Sequence, residues 1–181
     1  MMNTLIVIIS CIYMARALPH PEKTMRVEKT KRDAGAIGLH HYNVHAHEMG
    51  TLVEEKVDVD EERGLVSYSI PQHNDIDESV FVYDFKNNLT LMIFAQAGKC
   101  YVAPLDDRES QDPKTTVAAF QSTGEQEKAV SGIETDSYVI DGGEVEADAV
   151  LPPDLVERCS GMSMSRVKPM LETFSFDSDG K

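Results

Sequence analysis

From residue 52 onward the apolar positions fall into short runs with turn residues between them. Val53, Val57 and Val59 alternate with charged neighbours, and residues 65–70 form a second run beyond Asp60, Glu61, Glu62, Arg63 and Gly64. Period-two alternation on both sides of a polar, Gly-ended break predicts two strands joined as a hairpin. Residues 71–78 carry Pro, Asn and Asp without periodicity, which predicts a linker. The densest strand signal follows in residues 80–85, 89–95 and 100–105, separated by Lys86-Asn87-Asn88 and by Gln96-Ala97-Gly98-Lys99. Each break has turn chemistry, so the three runs predict an antiparallel meander. Leu91, Met92, Ile93 and Phe94 are apolar at consecutive positions, so both faces of the middle strand must be covered.

Two helices are the candidate covers. Asp112 as N-cap and Pro113 at the first helical position lead into Val117, Ala118 and Phe120. A second helix starts near Pro153, with Asp154 in its first turn and Leu155, Val156 and Cys159 available to face inward. Residues 122–134 and 141–148 are polar, acidic and Gly-containing, which predicts mobile loops around a strand at 137–140.

The amino-terminal apolar run, residues 5–14, precedes Ala15-Arg16-Ala17, a small-x-small pattern of the kind signal peptidase cuts. Residues 1–17 are therefore expected to be a secretion signal cleaved after Ala17. The rival is a short uncleaved membrane anchor, but a span needs about twenty apolar residues. Residues 18–51 read as a flexible pro-segment and linker. They contain Lys29-Thr30-Lys31-Arg32, a candidate convertase site cut after Arg32, and then His40, His41, His45 and His47. The histidines are weak candidates for zinc or copper; no Cys lies near them and their spacing fits no closed structural zinc pattern. The expectation is a solvated tract, with no metal and no cofactor.

Charge changes the picture of partners. Seventeen Lys and Arg stand against 31 Asp and Glu, a formal net charge of −14 at pH 7. Nucleic acid and anionic membrane are poor partners for the whole chain, which leaves a cationic peptide, or no charged partner at all. Of three cysteines Cys11 lies in the expected signal, leaving Cys100 and Cys159. An oxidising compartment pairs them. Closing that loop removes about 4 kcal/mol of unfolded-chain entropy.

The runs Val82-Tyr83-Asp84-Phe85, Leu89-Thr90 and Gly98-Lys99-Cys100-Tyr101-Val102, followed by Cys159, resemble the BRICHOS family over about residues 52–170, most closely over 80–105. Asp84 sits where the family has its strand aspartate, and Cys100 and Cys159 where it has its disulfide. The resemblance implies an α+β fold, a five-stranded antiparallel sheet with one helix on each face. It also implies a precursor layout in which the domain acts as a chaperone for a β-prone client. Candidate client-binding positions are alternating residues among Val80, Val82, Leu91, Ile93 and Tyr101. Asp84 is a pH-switch candidate whose change of charge would loosen helix from sheet or shift a homo-oligomer; without the resemblance it reads as an outward, solvated Asp.

The carboxy-terminal end departs from that layout. Residues 171–181 form an acidic tail, and no cationic client follows Cys159. Residues 162–176 could supply a last strand and a short client, with packing inside the domain the simpler reading. The client is then another polypeptide. Asn88-Leu89-Thr90 is an N-glycosylation sequon set in a turn. Ser-His-Asp, nucleophile-elbow, phosphate-loop and HExxH patterns are missing, so an enzyme is not expected. Two alternatives to a chaperone are a precursor that releases residues 18–32 as a peptide, and an extracellular structural or signalling protein.

Overall fold

The structure, a computed structural model, describes residues 7–11, 23–29, 38–48, 50–106, 111–123, 128–130 and 134–170. Its strands are β1 (Val7–Cys11), β2 (Lys23–Lys29), β3 (Leu39–Glu48), β4 (Thr51–Asp60), β5 (Leu65–Ile70), β6 (Ser79–Asp84), β7 (Leu89–Phe94), β8 (Lys99–Pro104), β9 (Lys128–Val130), β10 (Glu134–Glu144) and β11 (Ser163–Pro169). The helices are α1 (Pro113–Thr123) and α2 (Pro153–Val156), the second running into a 3-10 turn at Glu157–Cys159.

The strands form one sheet in the order β1-β10-β11-β8-β7-β6-β5-β4-β3-β2-β9. The expected five-stranded antiparallel sheet with a helix on each face is thereby corrected: the sheet is larger and mixed, with only two short α-helices among the described residues. Its middle is an eight-strand run from β10 to β3, and β11 lies parallel to β8, Met164 beside Cys100. Two stretches read as loop or linker supply the extra strands. The histidine-rich patch is β3, paired with β4 from Leu39↔Asp60 to Glu48↔Thr51. Residues 141–144, expected in a mobile loop, continue β10 past a register shift after Ile140, where Gly142 takes φ 101°.

The predicted hairpin and meander form as β4–β5 and β6–β7–β8. In β4 the valines at 53, 57 and 59 are buried while Leu52, Glu54, Lys56 and Asp58 are exposed, the signature of a strand with one wet face. Gly64 (φ 72°) ends the turn after β4, where the stem of Lys86 approaches so closely that an added Cβ would lie 3.0 Å from it.

Each sheet face carries its own apolar cluster. One runs from Tyr42 and Val44 on β3 through Val57, Val66, Phe81, Tyr83, Met92 and Tyr101 to Tyr138 and Val167, with Val117 and Phe120 of α1 packed onto it. The other gathers Leu65, Val82, Leu89, Leu91, Ile93, Cys100 and Val102 under Leu151, Leu155, Cys159 and Met164. The middle strand β7 feeds both, which accounts for its unbroken apolar run. The eleven-residue helix α1 covers part of the first cluster through Val117 and Phe120.

Candidate functional site

Asp84 ends β6 with 2% of its surface exposed. Its register neighbours are Leu65 on β5 and Leu89 on β7, both members of the cluster beneath α2. A carboxylate there needs donors, and the following turn provides them. Backbone N–H groups of Lys86 (3.0 Å) and Asn87 (2.9 Å) donate to Oδ1, and the Asn87 side-chain amide donates to Oδ2 at 2.7 Å. Asp84 is thus the anchor of the β6–β7 turn, not the solvated residue an outward Asp would be. Asn88 closes the same turn at φ 56°, its side chain exposed and its carbonyl accepting the Leu105 N–H.

Behind this turn the sheet is strapped. Cys100 on β8 and Cys159 form a disulfide with Cα atoms 6.0 Å apart, both nearly inaccessible. Arg63 pairs with Asp154 at the start of α2, and Arg158 donates to Ser67 Oγ at 3.2 Å. Leu155, fully buried, is the apolar contact that these polar and covalent ties hold down.

The client-binding candidates are divided by this arrangement. Val82, Leu91 and Ile93 lie buried in the cluster beneath α2, and Val80 packs at its margin. Tyr101 points into the opposite cluster, where burial pushes its phenol pKa up. These positions therefore do not form one open face in this state.

The histidines are likewise separated by strand alternation. His40 stacks on Tyr42 and lies 2.8 Å from Glu61; His41 Nδ1 lies 2.5 Å from Asp58 Oδ1 on the outer face, and His45 lies 3.9 Å from Glu54. The side chain of His47 lies outside the described residues. Among the described residues no three His, Cys, Asp or Glu side chains gather as a metal site. Sequence reading missed the acidic partners. The signal for them was the matching spacing of His41 and His45 on β3 with Glu54 and Asp58 on β4.

Two features concern the ends of the chain. Ala17, Arg32 and residues 171–181 lie outside the described residues. Of the expected leader, Val7–Cys11 is β1, paired with Glu134 to Tyr138 of β10; of the pro-segment, Lys23–Lys29 is β2, held between β3 and β9. No helix among the described residues is long and apolar enough to cross a membrane.

An antiparallel meander pinned by a disulfide to the turn that follows a short helix on one face defines a disulfide-strapped domain dominated by its sheet. Residues 75–164 match the family model of the BRICHOS domain, a stretch that contains Asp84, Cys100 and Cys159. The chain contains a BRICHOS domain over these residues. The sheet continues beyond the matched stretch, through β5, β4, β3 and β2. No curated protein and no solved structure matches the chain.

Proposed function

We propose that the chain is secreted and that, once its leader is gone, it binds β-prone segments of another polypeptide and limits their aggregation; no catalytic role is part of the reading. The supporting observation is at the sheet edge. Val7–Cys11 fills the outer ladder of β10, and cleavage after Ala17 removes that strand. Residues 134–138 then present N–H and C=O groups to an added strand, the geometry of β-augmentation. β10 contains Glu134, Asp136, Asp141 and Glu144 and no basic residue, which favours a cationic client. The same edge offers a route to a homo-oligomer. Release of residues 18–32 as a peptide is less well supported, because β2 is paired on both sides and a cut after Arg32 leaves those ladders in place.

The test uses chain collected from secreting cells, added at substoichiometric ratio to a β-prone peptide whose fibril growth is followed by dye fluorescence. A lengthened lag is expected. Adjacent strand residues point their N–H groups to opposite sides, so one of Thr135→Pro and Asp136→Pro removes an outer donor and weakens the effect. Unchanged kinetics with a folded, disulfide-bonded sample refute the proposal.

A further inference from the structure

Thr90 is 1% exposed on β7, between Tyr83 of β6 and Ala103 of β8, and its hydroxyl has no hydrogen-bond partner among the described residues. A buried hydroxyl without a partner is unfavourable, and valine has the same shape without the polar atom. Nothing in the fold calls for threonine here. Two residues earlier Asn88 is exposed at the tip of a turn anchored by Asp84, in a left-handed conformation that asparagine tolerates. Asn88-Leu89-Thr90 is the one Asn-x-Ser/Thr tripeptide in the sequence.

We infer that Asn88 carries an N-linked glycan, that Thr90 serves as the recognition hydroxyl of its sequon, and that the sugar is added before β7 joins the sheet. The order follows from burial: the folded domain exposes the acceptor amide but hides the hydroxyl a transferase must read. In the transfer, Asn88 Nδ2 forms a bond to the anomeric carbon of a lipid-diphosphate-linked oligosaccharide. The anomeric carbon–oxygen bond to phosphate breaks, Nδ2 gives up one proton, and the polyprenyl diphosphate leaves. The finished glycan projects from the exposed turn into solvent. The inference rests on entry into the secretory pathway.

The experiment expresses the full chain in secreting eukaryotic cells and treats the product with peptide N-glycosidase, which lowers the mass of a glycosylated chain and converts Asn88 to Asp. Wild type and Thr90→Ser are expected to shift; Thr90→Val and Asn88→Gly are not. Unglycosylated Thr90→Val made in bacteria is expected to unfold at a denaturant midpoint equal to or above that of unglycosylated wild type. With purified transferase and donor, reduced and unfolded chain accepts the sugar and folded chain does not. Secreted wild type without glycan, a fallen midpoint for Thr90→Val, or equal transfer to folded chain overturns the inference. A chain that keeps its leader and stays in the cytosol overturns the secretory reading along with it.

Discussion

Replacing Asp84 by Asn changes one atom of the turn anchor and tests the site most sharply. In the wild type both oxygens accept, Oδ1 from two backbone donors and Oδ2 from the Asn87 amide at 2.7 Å. Asn at this position keeps one carbonyl for the backbone donors, but its NH2 then meets the NH2 of Asn87, donor against donor. One charge-assisted bond is lost and two become neutral, a destabilisation of about 2 kcal/mol. Asp84→Ala costs about 3 kcal/mol, since both backbone N–H groups also lose their acceptor. The double variant Asp84→Asn with Asn87→Asp restores a donor opposite an acceptor, and about 1 kcal/mol returns as a coupling energy. Denaturant unfolding of the disulfide-bonded chain, followed by far-ultraviolet circular dichroism, reads all three changes. A loss below about 0.5 kcal/mol for Asp84→Asn, or no coupling with Asn87, refutes the anchor assignment. The same protein examines the proposed pH switch: if stability and oligomer state depend on pH as in the wild type, the charge of Asp84 does not govern the contact between α2 and the sheet.

Other perturbations reach the remaining parts. Replacing Cys100 and Cys159 together by Ser is expected to remove about 4 kcal/mol of stability, read as a lower denaturation midpoint with a steeper slope, because the unfolded chain without its cross-link exposes more surface. Asp112 accepts from Thr115 Oγ1 at 2.5 Å, a bond that holds its carboxyl below the ordinary value of 3.8 with backbone donors assisting, so its contribution is present above that value and fades as pH falls through the depressed one. Asp112→Ala is therefore expected to cost about 1 kcal/mol at neutral pH and to flatten the acid limb of an unfolding titration. Tyr42, buried under Phe120 at a ring separation of 4.7 Å, has its phenol raised first by desolvation and then by Glu61. A raised group stabilises below its unfolded value and loses that contribution as pH rises through the folded one, so stability falls above about pH 10. Tyr42→Phe, whose lost hydroxyl is unpartnered among the described residues, removes that alkaline loss with little change at pH 7.

Legibility in the sequence followed locality. The meander could be read because Val, Leu and Ile runs are punctuated by Asn and Gly, and α1 because Asp112-Pro113 marks its start. β3 was hidden by its histidines, which alternate with Tyr42, Val44 and Ala46 in strand period but look like a polar tract by composition. β11 falls within residues 162–176, which read as a possible last strand, but with Met164 and Val167 as its buried apolar residues nothing in the pattern names its partner. Its place is set from a distance. The disulfide brings Cys159 to Cys100, and the Ser163 N–H then donates to the Gly98 carbonyl at 3.0 Å, starting a parallel ladder beside β8. The anchoring role of Asp84 was hidden for a related reason, since its donors come from a turn whose geometry no pattern of apolar residues announces.

The division between faces and edges bears on how a client is held. To reach Val82 or Leu91, both fully buried, a client must lift α2. That means separating Arg63 from Asp154 and Arg158 from Ser67 and uncovering Leu155, all within the reach permitted by a disulfide that closes on Cys159, three residues after α2 ends. Fully burying a leucine is worth about 2 kcal/mol, and the exposed sheet residues add their own cost. Under the proposed secretion the β10 edge asks for none of this, since its covering strand is removed with the leader. Edge pairing is thus the lower-cost mode within the proposal, and it assigns the strap a different task from that of a lid. It keeps the meander, and β11 beside it, fixed, so that β10 has a rigid neighbour on one side and a client on the other. Reduction of the disulfide separates the two modes. A lid freed by reduction would expose its face and strengthen client capture, whereas an edge that depends on a fixed neighbour would capture less.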